Sequence, residues 1–143
     1  MTVILNTERI AADLRREEGY RRFAYLDSLG LVTVGIGRCI HEAHGVGIDE
    51  EEALYLLRRD IERCAGECDR ALPWFSSASA NVREAVVQLV FQLGLPKYLG
   101  FKKHLAALEA GDYETAADEL LDSRFARQTP GRAARMADRI RAG

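Results

Sequence analysis

A regular apolar repeat between Leu54 and Cys68 constrains the fold of this chain more than any other sequence feature. Apolar side chains recur there at steps of three and four residues, at Leu54, Leu57, Ile61, Cys64 and Cys68. This spacing places all five on one face of an α-helix. Asp49 and Glu52 form a capping-box pattern before the repeat, and Pro73 bounds its other end. The pattern predicts a helix of about 20 residues, about 30 Å long, which is typical of a strut between two lobes.

A shorter helix is predicted before this strut. Asn6 and Thr7 are both good N-cap residues, so the helix should begin at one of them. Gly19 is a natural stop, which predicts a helix end at Glu17 or Glu18. Two carboxylates therefore stand at the negative end of a helix dipole, where a negative charge is disfavoured.

A β-hairpin is predicted next. Residues 22–26 alternate like a short strand, and residues 31–36 read as the returning strand. Between them, Asp27-Ser28-Leu29-Gly30 has the residues of a type I turn. Thr33 should face away from the valines that flank it. Residues 37–48 are expected to form a glycine-rich connection.

The remaining sequence predicts helices only. Asn81 and Glu84 are the predicted cap of a strongly apolar, buried central helix that stops at Gly94. Three further helices are predicted, around residues 102–109, after Asp112 and after Thr129-Pro130. The predicted fold class is α+β, mainly helical. We expect one domain in which residues 1–50 form a hairpin-containing lobe, residues 51–72 the connecting helix, and residues 73–143 a helical lobe.

The charge of the chain is unevenly distributed. The formal net charge is -2, yet residues 123–143 contain six arginines and a single acid, Asp138. A basic end of this kind suits either a solvated helix face or contact with an anionic polymer. Because the rest of the chain is acidic and no clear helix-turn-helix is present, we expect no nucleic-acid partner.

The cysteines and histidines favour neither a disulfide framework nor a metal site. Three cysteines are an odd number, and Cys64 and Cys68 are expected to be small core residues. Cys39, His41 and His44 match no zinc-ligand spacing, so no metal and no cofactor are expected.

Three side chains in the first third of the chain are candidates for a catalytic site. Glu18 ends a helix, Asp27 opens a turn, and Thr33 lies on the returning strand. Cleavage of a glycosidic bond needs two carboxyl groups, one protonated and one ionised. Each residue also has an ordinary explanation as a surface acid, a turn former or a strand former. Helical phase alone does not choose between Glu17 and Glu18.

Several ordered motifs resemble the phage-type lysozymes, glycoside hydrolase family 24. The family signature is Glu, eight residues, Asp, five residues, Thr, and Glu18, Asp27 and Thr33 match it. The likeness extends along most of the chain, through Tyr25-x-Asp27, Thr33-Val34-Gly35-Ile36-Gly37, Phe91-Gln92-Leu93-Gly94, Gly100-Phe101, Ser123-Arg124-Phe125 and Gln128-Thr129-Pro130.

The resemblance implies roles for individual residues. Glu18 is implied to be the general acid, Asp27 the carboxylate that activates water or stabilises the sugar cation, and Thr33 a residue that places the water. Substrate contacts fall on Phe91, Cys39, His104 and Glu119, the last three being residue types unlike those expected. Gln92 and Arg132 are implied to lie near the acid. Glu17 and Arg38 replace the usual aspartate and histidine, and a salt bridge between them is our hypothesis.

The resemblance also implies a function. The expected activity is that of an endolysin, a muramidase hydrolysing the β-1,4 bond between N-acetylmuramic acid and N-acetylglucosamine in bacterial peptidoglycan. The alternatives are a lytic transglycosylase and an inactive module that binds wall or nucleic acid. We expect a monomer made in the host cytoplasm, without membrane insertion, that reaches the wall after release, either through a holin or by another secretion route. Met1 to Leu5 is too short an apolar run for a signal peptide.

Overall fold

The computed structural model describes residues 3–143, so Met1 and Thr2, which begin the segment considered as a signal peptide, lie outside it. Contacts divide the chain into two compact units, with the division between Leu54 and Tyr55. The elements in chain order are α1 (Thr7–Glu18), β1 (Arg21–Leu26), β2 (Val32–Gly35), β3 (Arg38–Cys39), α2 (Glu50–Ala71), a 3-10 turn (Phe75–Ser77), α3 (Ala80–Leu93), α4 (Leu95–Tyr98), α5 (Lys102–Glu109), α6 (Tyr113–Leu121), α7 (Arg124–Gln128) and α8 (Pro130–Arg141). The predicted α+β, mainly helical class is confirmed.

The first helix has the predicted ends. The Asn6 side chain accepts a hydrogen bond from the backbone N–H of Arg9 at 3.0 Å, which satisfies a donor that the helix itself leaves unpaired. Gly19 follows Glu18 with a φ of 72°, a conformation that costs other residues energy but not glycine. The chain therefore leaves α1 immediately after Glu18.

The sheet has one strand more than the sequence predicted. Its order is β1-β2-β3, and both neighbouring pairs are antiparallel. β3 consists of only two residues, and Arg38 pairs with Val34 across the turn at residues 35–37. β3 therefore lies within the predicted glycine-rich connection and was not itself predicted. A two-residue strand is too short to show alternation, so only the pairing reveals it.

The long helix α2 confirms the capping box. The backbone N–H of Asp49 donates to Glu52 Oε2 at 2.9 Å, and the N–H of Glu52 donates to Asp49 Oδ1 at 2.8 Å. These reciprocal bonds satisfy two donors at the helix start. The helix is 22 residues long, and Cys64 and Cys68 are its buried residues.

The second unit is built around α3. Val82, Val86 and Leu89 of that helix are buried and belong to one apolar core. The amphipathic faces of the later helices complete this core with buried Ala116, Ala117, Leu120, Ala133, Met136, Ala137 and Ile140. The predicted buried central helix is confirmed. Within residues 3–143, no helix combines the length and apolarity needed to cross a bilayer.

Three details of the second unit differ from the sequence expectations. The N-cap of α3 is Ser79 and not Asn81, because Ser79 has the extended backbone of a cap and accepts from the N–H of Val82 at 3.2 Å. The short helix α4 was not predicted, since Pro96 is tolerated in its first turn and does not stop the chain. The five-residue helix α7, capped by Ser123, was also missed.

Candidate active site

Glu18 lies against the turn between β2 and β3. A Cβ atom built on Gly37 would stand 2.9 Å from Glu18 Oε2 and 3.0 Å from its carboxyl carbon. Gly37 has a φ of 69°, so both its conformation and the space around it favour glycine. The neighbouring Glu17 instead contacts exposed Arg16 at 3.4 Å. The structure thus distinguishes two carboxylates that helical phase left equivalent, and Glu18 is the one that reaches the hairpin.

Asp27 is fixed by the turn that it opens. Its Oδ1 accepts hydrogen bonds from the backbone N–H groups of Leu29 at 2.8 Å and Leu31 at 2.9 Å. Its carbonyl accepts from Gly30 N–H at 2.9 Å, as the predicted turn requires. Two aligned N–H groups stabilise negative charge on Oδ1 and hold the half-buried side chain in one orientation.

Thr33 occupies the centre of the sheet. It pairs with Tyr25 of β1 on one side and with Cys39 of β3 on the other. Residues paired across strands share one face, so these three side chains form a row. Thr33 is 4% exposed, and its hydroxyl donates to the carbonyl of Leu31 at 3.1 Å. Cys39, a predicted substrate contact, is half-buried beside it.

The strand β2 links the three predicted catalytic residues. Asp27 is hydrogen-bonded to Leu31, just before the strand begins, and Glu18 rests on Gly37, just after it ends. Thr33 lies within the strand. A strand of four residues spans about 10 Å. The first unit alone therefore holds all three residues around a single short strand.

Arg38 does not pair with Glu17, and that hypothesis was wrong. Its guanidinium donates to both carboxylate oxygens of Glu52, at 2.6 and 3.1 Å, and to the carbonyl of Gly47 at 2.7 Å. Arg38 points along the sheet toward the start of α2, whereas Glu17 faces the exposed surface of α1. The sequence signal that was overlooked is the capping-box Glu52, whose carboxylate has oxygen lone pairs beyond the one that the cap uses.

In the second unit, Phe91 and Arg132 line the same groove. This groove has a volume of about 730 Å³, and its walls include the apolar side chains of Leu57, Ile61 and Val87. Phe91 is 44% exposed. The adjacent Gln92 has a buried Oε1 atom with no hydrogen-bond partner among residues 3–143. An unpaired buried amide oxygen is costly and is often explained by function.

His104 and Glu119 line a second cavity of about 440 Å³, together with Lys97, Lys103 and Arg124. His104 is only 1% exposed, and its Nδ1 lies 2.7 Å from the Ala116 carbonyl. A carbonyl only accepts, so Nδ1 carries the proton and Nε2 accepts from the Tyr98 hydroxyl at 2.9 Å. Burial lowers the pKa of His104. With both ring nitrogens engaged, the side chain ties α5 to α6, and its contact with substrate stays a prediction.

The cysteines of α2 are core residues, as predicted. Cys64 and Cys68 are free thiols, and burial raises the pKa of Cys68 to about 11. A thiol that holds its proton so strongly is a poor nucleophile and a poor metal ligand. Across residues 3–143, no three His, Cys, Asp or Glu side chains gather in a way that would hold a metal ion.

Comparisons with known proteins agree on one family. The family model described as phage lysozyme matches residues 15–139. The chain is 30% identical over 152 residues to the pre-baseplate central spike protein Gp5 of Enterobacteria phage T4, covering 89% of this chain and 26% of that protein. It is 28% identical over 156 residues to probable T4-type lysozyme 1 of Dictyostelium discoideum, covering 91% and 92%.

A third relative has a comparable likeness. The chain is 30% identical over 122 residues to the endolysin of Salmonella phage P22, covering 76% of this chain and 75% of that protein. The chain thus spans about a quarter of the T4 spike protein and most of the other two relatives. The match to the family model includes the helix end, the hairpin and nearly all of the helical unit. This chain belongs to the phage lysozyme family of glycoside hydrolases.

Proposed function

We propose that this enzyme is a muramidase that hydrolyses the β-1,4 bond between N-acetylmuramic acid and N-acetylglucosamine in bacterial peptidoglycan. Glu18 is the general acid, and Asp27 is the second carboxylate. The observation that carries this proposal is the position of Glu18 and Asp27 at opposite ends of β2, with Thr33 between them.

The position of Glu18 suits a general acid. It is the last residue of α1, and the chain leaves the helix at Gly19 immediately after it. Its carboxyl group lies beside Gly37, in the turn between β2 and β3. A positioned carboxylic acid protonates the leaving oxygen of the glycosidic bond as that bond breaks.

The surroundings of Asp27 suit a base that orients water. One carboxylate oxygen is held by two backbone N–H groups, which leaves the other for a water molecule. The Thr33 hydroxyl donates to Leu31 and retains lone pairs that accept from the same water. The family resemblance favours inversion of the anomeric configuration, for which the two carboxyl groups stand about 6.5–9.5 Å apart.

We propose the substrate contacts that the family resemblance implies. Phe91 offers an exposed aromatic ring in the groove of the second unit, which is a surface that sugars pack against. Cys39 flanks Thr33 on the sheet, and Glu119 borders the second cavity. His104 lines the same cavity, but its ring is buried, which disfavours a direct contact with substrate. Gln92 and Arg132 are proposed as neighbours of the acid because the family resemblance implies it.

We propose the cellular role of an endolysin. The likeness to the phage P22 endolysin covers three quarters of both proteins. In this role the enzyme is a monomer made in the host cytoplasm, and it reaches the wall after release, either through a holin or by another secretion route.

The test is clearing of purified cell walls by the wild-type enzyme beside Glu18→Gln and Glu17→Gln. The amide of Glu18→Gln has no proton to transfer, so we expect a loss of about 100-fold or more. Glu17→Gln is the matched control and should retain activity. It removes the neighbouring carboxylate, which pairs with exposed Arg16 on α1. Clearing at the wild-type rate by Glu18→Gln would contradict the proposal.

Mass spectrometry of the released fragments separates the rival activities. A hydrolase adds water and leaves a reducing-end sugar, whereas a lytic transglycosylase leaves an anhydro sugar. Proton NMR of the first product should show an inverted anomeric configuration. Wall binding without any release of fragments would favour an inactive module.

A further inference from the structure

The contact between Glu18 and Gly37 raises the question of what holds Gly37 in place. The turn at residues 35–37 joins β2 to β3, and β3 is only two residues long. Such a short strand adds few hydrogen bonds of its own, so the turn needs support from outside the sheet. Residue 38, which follows Gly37 directly, supplies that support.

Arg38 is bonded at three points beyond the sheet. Its guanidinium forms a bidentate hydrogen-bonded ion pair with the Glu52 carboxylate, at 2.6 and 3.1 Å. It also donates to the Gly47 carbonyl at 2.7 Å. A bidentate pair between arginine and a carboxylate fixes the orientation of the guanidinium as well as its distance from the carboxylate. Arg38 is consequently restrained at the end of its side chain as well as at its backbone, which pairs with Val34.

Glu52 is itself immobilised by the start of α2. Its Oε2 atom accepts from the N–H of Asp49 at 2.9 Å, while Asp49 Oδ1 accepts from the N–H of Glu52 at 2.8 Å. The same carboxylate therefore serves as helix cap and as partner of Arg38. A continuous set of hydrogen bonds runs from the first turn of α2, through Glu52 and Arg38, to the turn on which Glu18 rests.

We propose that the Arg38–Glu52 ion pair is a positioning device for the acid, holding the turn at residues 35–37 where it meets the Glu18 carboxyl group. This inference rests on the proposed role of Glu18. Both side chains of the pair are close to 40% exposed, so the pair contributes little to overall stability. The ion pair instead fixes the position of the turn. A displacement of about 1 Å near a reacting group lowers the reaction rate about 100-fold.

The test uses Arg38→Gln, Glu52→Gln and the double variant, with kcat and KM measured for release of reducing ends from purified sacculi. Glu52→Gln is the sharper variant, because glutamine still serves in a capping box but cannot form the ion pair. Each single variant should lower kcat about tenfold and change KM less than about twofold. The double variant should fall no further than the singles, since both remove the same link. Arg38→Lys should recover part of the loss.

Arg63→Gln is the matched control, because it removes the exposed pairs of Arg63 with Asp60 and Glu67 elsewhere on α2. It should keep wild-type kcat. Thermal melts establish whether each variant is folded at the assay temperature. If Arg38→Gln is unfolded there, the kcat of Glu52→Gln decides the question. Wild-type kcat in both single variants, or additive losses in the double, would overturn the inference. If Glu18→Gln is inactive while these variants are fully active, only this inference fails, whereas an active Glu18→Gln overturns the proposed function itself.

Discussion

The Glu18 carboxyl group occupies the position beside Gly37 that a side chain at residue 37 would take, since a Cβ atom built there would stand 2.9 Å from Glu18 Oε2. The residues are 19 apart in sequence, at the end of a helix and in a tight turn between strands. This arrangement places the proposed acid at one end of β2, and a side chain at position 37 would displace the Glu18 carboxyl group as well as strain the backbone.

The first prediction concerns Gly37→Ala. The substitution places a Cβ within 3 Å of the Glu18 carboxyl group and forces a left-handed conformation on alanine, at a cost of about 1–2 kcal/mol. We expect a loss of activity of about tenfold or more, because the carboxyl group must move away. Gly111→Ala is the control, since Gly111 has a similar φ of 75° and no atom within 4 Å of its Cβ position. Equal activity in the two variants, measured by wall clearing, would count against the contact.

The second prediction separates the charge of Asp27 from its role in the turn. In Asp27→Asn the side-chain oxygen still accepts from Leu29 and Leu31, so the thermal midpoint should stay close to that of the wild type. The neutral amide no longer activates water, and kcat should fall by about 100-fold or more. Asp27→Ala should lose both activity and stability. Substantial activity in Asp27→Asn would remove this residue from the catalytic pair.

The third prediction is a pH dependence of stability that originates at His104. Burial lowers the pKa of His104 below its ordinary value, so the unfolded chain takes up a proton before the folded enzyme does. Its contribution to stability is fully present above the unfolded pKa, about 6.5, and is lost as pH falls below that value. Unfolding free energies at pH 7.5 and 5.5 should therefore differ more for the wild type than for His104→Asn.

Asparagine is the suitable replacement because its amide still donates to the Ala116 carbonyl but does not titrate. Contributions from the acidic side chains cancel when the two proteins are compared. The same pH slope in both would mean that folding does not change the pKa of His104, which would contradict the prediction.

The fourth prediction tests the start of α3. Ser79→Ala removes the acceptor of the Val82 N–H and should cost about 1 kcal/mol, which for a chain of this length lowers the thermal midpoint by about 3 °C. Asn81→Ala is the control, because Asn81 lies inside the helix, where alanine is the better residue. A larger loss in Asn81→Ala than in Ser79→Ala would reverse the assignment of the cap.

Local chemistry determined much of the fold. The Asn6 cap, the Gly19 stop, the Asp27 turn and the Asp49–Glu52 capping box all follow from residues within four positions of one another, and the structure has each of them. The apolar periodicity likewise predicted α2 and the buried face of α3. Such features are decided by side-chain and backbone bonds over one helical turn or one β-turn, which is the range that a sequence pattern covers.

The remaining features depend on contacts between distant residues. Only the folded chain decided that Glu18 rather than Glu17 reaches Gly37, and that Arg38 pairs with Glu52 rather than Glu17. The short strand β3 exists because β2 pairs with it, since two residues carry no pattern of their own. The identities of the acid, the turn residue and the threonine are properties of the sequence. Their common placement around β2 is a property of strand pairing, which joins residues according to backbone hydrogen bonds and not according to their separation along the chain.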